Sequence, residues 1–203
     1  MSSHQSSTSD SEADLDFVFS EDSEMWKLNR VWLGILFGPA AAILQTAHPR
    51  VAQGVAQHSD FQKDSLARLR RTLFSVTHIA FGTRQEAAAM AEMLEKIHAR
   101  VRGEIAGGMP GERQYSAFEP ELQMWVLATL VVAALDGYEL VMDRLDDARR
   151  EHFYRDFRDF GVFFGLDRNF GPQDFPSFAA YYEQMLADPM LGEHAVCAEV
   201  AQA

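Results

Sequence analysis

Residues 83–105 read TRQEAAAMAEMLEKIHARVRGEI. Thr83 followed three positions later by Glu86 is a capping box, in which each side chain satisfies a backbone N–H at the start of a helix. From Arg84 to Ile105 the apolar residues Ala87, Met90, Ala91, Leu94, Ile97, Val101 and Ile105 recur at helical spacing. That pattern predicts an amphipathic helix over the whole stretch. His98 falls on the edge of its stripe, one turn from both Leu94 and Val101.

Upstream, the spacing predicts a helix over Ser65–Ala80, capped by Asp64, with a stripe of Leu66, Leu69, Leu73, Val76 and Ala80. Arg68, Arg71, Thr72, Ser75 and His78 fall on its other side. Before it, Trp26–Phe37 and Ala40–Ala47 read as two helical pieces separated by Gly38-Pro39. His48-Pro49 ends the second, and a short helix over Arg50–His58 follows. Downstream, Gly107, Gly108, Pro110 and Gly111 form a loop. Pro120 opens a long helix to about Met142 with an apolar, buried centre from Trp125 to Leu135. An aromatic-rich helix, Asp147–Phe164, and a short one, Ser177–Leu186, complete the set. No repeat and no strand stands out. The expected fold class is all-α, a single domain of about seven helices.

Composition narrows the function classes. Of 203 residues, 47% are apolar, enough for a sizeable core, and the net charge is −12. An acidic chain does not suit nucleic acid or an anionic membrane surface, both of which require a basic face. Residues 1–24 contain no Lys or Arg and seven acidic residues among many serines, which predicts a disordered, solvating tail ahead of a helical domain over 25–203. They do not form a signal peptide. The run from Val31 to Ala47 is short for a membrane span, so no transmembrane segment is expected and the location expected is cytoplasmic. The one cysteine, Cys197, excludes a disulfide framework within the chain.

Four of the seven histidines, His48, His58, His78 and His98, lie between residues 48 and 98. From spacing alone, His98 reads first as a core-edge histidine, and second as a metal ligand, since a neutral imidazole suits iron. Glu95 with His98 has the Glu-x-x-His spacing of a di-iron bundle, but a second such pair is missing from the chain. Zinc has neither a His-x-x-x-His pair nor nearby cysteine. Arg68, Arg71 and Thr72 read either as a solvated helix face or as groups that enter a pocket or clamp a carboxylate. His48 and His58 read as structural, and the aromatics of 153–164 as core.

Several ordered motifs carry a resemblance. They are Ala47-His48-Pro49-Arg50-Val51-Ala52-Gln53-Gly54-Val55, His58-Ser59-Asp60-Phe61, Phe81-Gly82, His98-Ala99-Arg100-Val101-Arg102-Gly103, Tyr115-Ser116-Ala117 and Trp125-Val126. Together they resemble the catalytic domain shared by bacterial rubber oxygenase and the fungal mycophenolic-acid-pathway oxygenase, over about residues 26–190. The resemblance implies a globin-like helical domain holding haem b, which cleaves carbon–carbon double bonds of polyprenyl chains with dioxygen. It implies His98 as the iron ligand, Arg68 as a cofactor-side residue that could hold a propionate, and Arg71 or Thr72 as hydrogen-bond donors to dioxygen. The family's iron-ligating lysine is Arg71 here, and a guanidinium, always charged, does not ligate iron. The family's pocket glutamate would fall near Ala52 or Gln53, where no carboxylate stands. Rubber cleavage itself is therefore not inferred. Family members usually continue beyond the helix ending near Leu186, so a short or C-terminally truncated member is expected.

The reading that results is a haem b-dependent oxygenase of an apolar, alkene-bearing, isoprenoid-like substrate. Its rival is a haem-free helical relative that binds an apolar ligand or a partner without catalysis.

Overall fold

The computed structural model describes residues 16–30, 33–59, 65–105, 114–192 and 195–201. Their helices are α1 (Glu24–Asn29), α2 (Leu33–Thr46), α3 (Pro49–His58), α4 (Ser65–Phe81), α5 (Arg84–His98), α6 (Pro120–Val141), α7 (Asp147–Val162), α8 (Phe175–Ala187) and α9 (Ala195–Ala201). Two three-residue strands, β1 (Arg102–Glu104) and β2 (Gln114–Ser116), pair antiparallel. The class is all-α. The cap read at Asp64 and the glycine-rich loop at 107–111 lie outside the described residues.

Local chemistry sets most helix starts. Thr83 and Glu86 form the reciprocal capping box of α5, and the Asp146 side chain accepts from Arg149 N at the start of α7. Asp174 and Ser177 cap α8 reciprocally, and prolines stand in the first turns of α3, α6 and α8.

The core is built around α6. Met124, Leu127, Ala128, Val131 and Leu135 of α6 are buried against Phe153, Phe157 and Phe160 of α7, with Ile79 and Ala80 of α4 and Met25 and Leu28 of α1. The α7 aromatics are thus core, as their spacing suggests. In length and apolarity α6 also suffices for a membrane span, but here it is the central helix, with α2 packed along it. The buried indole of Trp125 fastens that pair, donating from Nε1 to the Gln45 carbonyl at 3.2 Å.

Four features differ from the sequence reading. Helix α2 runs through Gly38-Pro39, with its proline inside the helix. Pro39 forfeits one backbone bond, and packing along α6 keeps the helix continuous across it. Helix α5 stops at His98 rather than Ile105, because the chain turns to form β1. A methyl group at Gly103 would stand 2.8 Å from Gln57 Oε1 and 3.0 Å from Tyr115 Oη, so a side chain here would displace both groups. The helices also exceed the expected seven, since the short α1 and α9 are helical too.

The fourth difference concerns the acidic tail. Residues 1–15 lie outside the described residues, but 16–24 pack onto the body. Phe17 bridges to Thr83, Arg84 N donates to the Asp16 carbonyl, and Phe19 is buried. Glu24 is buried in an ion pair with Arg149 (2.8 Å), so its charge anchors the chain rather than solvating it.

Candidate functional site

Small residues facing one another leave a void. Gly38, Ala41 and Ala42 of α2 stand opposite Ala133 and Ala134 of α6, with α4 closing the third side. The result is a cavity of about 300 Å³, at the lower end of the range for small-molecule sites. Its walls are mainly apolar, with Phe37, Leu69, Leu73, Val76, Leu130 and Phe157 the larger contributors. Ile43 and Leu66 also line it and are 59% and 76% exposed, so the cavity opens to solvent beside an apolar rim.

Helix α4 is a wedge with two covered faces. Ser75 and Ile79 are buried on the core side, and Leu69, Thr72, Leu73 and Val76 line the cavity. The sequence reading, with one apolar stripe and Arg68, Arg71, Thr72 and Ser75 opposite it, is corrected here. Ser75 is inside, Leu66 is outside, and Arg68 is half-buried on the cavity wall.

Most polar groups of the wall are satisfied within their own helices. Thr46 Oγ1 donates to the Ile43 carbonyl (2.9 Å), Asn29 Nδ2 to the Met25 carbonyl (2.8 Å) and Thr72 Oγ1 to the Arg68 carbonyl (3.2 Å). Two side chains differ. The guanidinium of Arg68 and the carboxamide of Gln45, a residue only 7% exposed, have no hydrogen-bond partner among the described residues. Burial, and secondarily the neighbouring charge of Arg71, pulls Arg68 below its ordinary pKa. It nevertheless stays charged, so the wall presents a cation in largely apolar surroundings that no acidic group among the described residues compensates, and which an anion would stabilise.

The other candidates lie elsewhere. His98, the last residue of α5, is half-buried with its ring edge-on to Phe118 (6.5 Å, 80°). Burial lowers its pKa and favours the neutral imidazole. It does not line the cavity, and neither does the exposed Arg71. The structure therefore brings Arg68 and Thr72 together and leaves His98 and Arg71 apart from them. Among the described residues no cluster of three His, Cys, Asp or Glu could hold a metal ion, which leaves exposed Glu95 and half-buried His98 without the further carboxylates a di-iron site requires.

A haem group fits this cavity only in part. The apolar walls suit a macrocycle, and Arg68 suits a propionate, but no imidazole among the described residues lines the space. The geometry thus does not complete a haem site here, and no chemical step is derived through iron.

The motif residues between α3 and the strands form a structural joint. The buried Tyr115 hydroxyl donates to Gln57 Oε1, and His58 Nε2 lies 3.1 Å from that hydroxyl and 3.2 Å from the Arg102 carbonyl. Buried His48 supplies the N-cap position of α3. His58 thus links α3 to the strands, as expected, whereas the His48 side chain makes no cap hydrogen bond. The residue that sequence reasoning missed is Gln45. Its signal was present, a polar side chain closing the nearly uninterrupted apolar run of α2.

Two similar proteins are uncharacterised ones from Mycobacterium bovis and Mycobacterium tuberculosis, each 27% identical over 156 residues, or 75% of this chain. The chain spans 60% of the length of these relatives. No solved structure matches it. Residues 26–202 match the model of the family described as ER-bound oxygenase mpaB/B'/rubber oxygenase, catalytic domain. That match takes in the cavity walls, the α3–strand joint and His98, and the chain belongs to this oxygenase family.

Proposed function

We propose that the protein is an oxygenase that uses dioxygen on an apolar, alkene-bearing, isoprenoid-like small molecule, taken up in the cavity between α2, α4 and α6. The observation that carries this reading is the family match across nearly the whole described body, joined to a cavity of apolar wall and ligand-sized volume. Haem b is the proposed cofactor and a globin-like arrangement the proposed setting. His98 is the proposed iron ligand, supported by its half-burial and neutral imidazole. When bound, haem would supply the activation of dioxygen. Thr72 on the cavity wall and Arg71 one position before it are the proposed donors to dioxygen, and Arg68, a cofactor-side residue by the resemblance, is the proposed anchor of a carboxylate, that of a haem propionate or of the substrate. A cytoplasmic location is proposed from composition alone.

One observation favours the rival reading, a non-catalytic helical ligand-binding relative: His98 is not on the wall of the cavity. The two separate on the absorption spectrum of protein expressed with haem precursor. A Soret band that shifts on reduction with dithionite, shifts again with carbon monoxide and is lost in His98→Ala supports the oxygenase. Oxygen consumption with an isoprenoid alkene completes the test. A flat visible spectrum with no iron by metal analysis overturns the oxygenase and leaves the binding protein.

A further inference from the structure

We infer that the cavity takes a monocarboxylate with an apolar chain, whose carboxylate is bound by Arg68 and whose chain lies along the α2 and α6 walls. The inference names the ligand class of the proposed function and rests on that reading's assignment of this cavity as the substrate site.

Three observations converge. Among the described residues Arg68 is the one cation on the cavity wall, and none of their carboxylates pairs with it. Among the described residues the one charged neighbour that shifts Arg68 is Arg71, which adds to the effect of burial. A guanidinium in a part-apolar setting is satisfied best by a planar, bidentate anion such as carboxylate. Second, Gln45, a residue only 7% exposed, lines the same cavity from α2, and its carboxamide has no hydrogen-bond partner among the described residues, so a polar ligand group can pair with it. Third, the remaining surface is apolar, and its shape suits a chain. The α4 residues on the wall run from Leu66 to Val76, a length of about 15 Å at a helical rise of about 1.5 Å per residue. An extended chain of roughly ten to twelve carbons spans that length with C–C bonds of about 1.5 Å. A wholly neutral hydrocarbon would leave both Arg68 and Gln45 desolvated and unpaired.

The test is calorimetric titration of the full chain, haem-supplied and haem-free, with decanoate and with decan-1-ol, which has an equal chain and no charge. Decanoate should bind about tenfold or more tightly than decan-1-ol, the discrimination expected of a charge-assisted pair. Arg68→Gln should abolish the preference by weakening decanoate alone, Arg68→Lys should restore part of it, and Arg70→Gln, on an exposed side chain, should leave it intact. Far-UV circular dichroism checks that each variant is folded. Equal binding of the two ligands, no binding of either, or an unchanged preference in folded Arg68→Gln overturns the inference. If Arg68 serves a haem propionate instead, Arg68→Gln lowers haem retention while decanoate and decan-1-ol bind alike, which also overturns it. Failure of the oxygenase reading is separately visible, as a flat spectrum in a protein that still prefers decanoate.

Discussion

Gly137 on α6 lies directly against the ring of Phe37 on α2. A methyl group at position 137 would meet Phe37 Cδ2 and stand 2.9 Å from both Cε2 and Cγ. Phe37 is also a wall of the cavity, so its ring has space to move into. Gly137→Ala should therefore push the ring into the cavity rather than break the fold. Overpacking costs about 1–3 kcal/mol in a filled core, but the void relieves part of it and the helix gains about 1 kcal/mol from alanine. The expected outcome is an unfolding free energy in urea changed by less than about 1 kcal/mol and decanoate affinity reduced about tenfold. A large loss of stability with unchanged affinity would show that Phe37 cannot yield.

The ion pair of Glu24 with Arg149 fastens α1 to α7. Arg149 donates from Nε (3.0 Å) and from a terminal nitrogen (2.8 Å) to one Glu24 oxygen, and the guanidinium also lies 5.5 Å from the Tyr138 ring centre. The hydrogen bond to Glu24 holds Arg149 above its ordinary pKa. Glu24→Ala should destabilise the protein by about 2 kcal/mol, the cost of a charge-assisted, largely buried hydrogen-bond pair. Urea denaturation reads the loss, and an unchanged midpoint would mean that this ion pair contributes nothing to stability.

Asp156 gives a pH signature. Its carboxylate accepts from Met25 N at 3.0 Å, yet burial, which outweighs that bond, raises its pKa above the ordinary 3.8. The fold thus prefers the protonated acid. The stabilisation associated with that preference is fully present below 3.8 and is lost as the pH rises through the folded-state value. Asp156→Asn keeps an oxygen acceptor for Met25 without the charge. It should raise the melting temperature at pH 7, by an amount that shrinks on acidification below the ordinary value. Equal melting curves at pH 7 would sink this account.

Sequence and structure agree where the controlling contacts are local. The capping box Thr83–Glu86 lies within one helical turn, and so do the cap at Asp146 and the prolines that open α3 and α6. The strands were illegible because each has three residues and its register is set by a partner across a loop. The continuity of α2 through Pro39 was equally illegible, since a proline's local penalty says nothing of the helix that packs alongside.

By itself the sequence determined the helical class, most helix starts, the central apolar helix α6 and the ordered motifs of the oxygenase family, because hydrogen-bond capping and side-chain periodicity act over a few residues. Only the tertiary structure decided which faces are inside. It placed Arg68 on a cavity wall and His98 off it, buried Ser75, exposed Leu66 and drew Gln45 into the same space as Arg68. Burial is a property of whatever element arrives opposite, and the alanines of α2 and α6 became a cavity only when the two helices met.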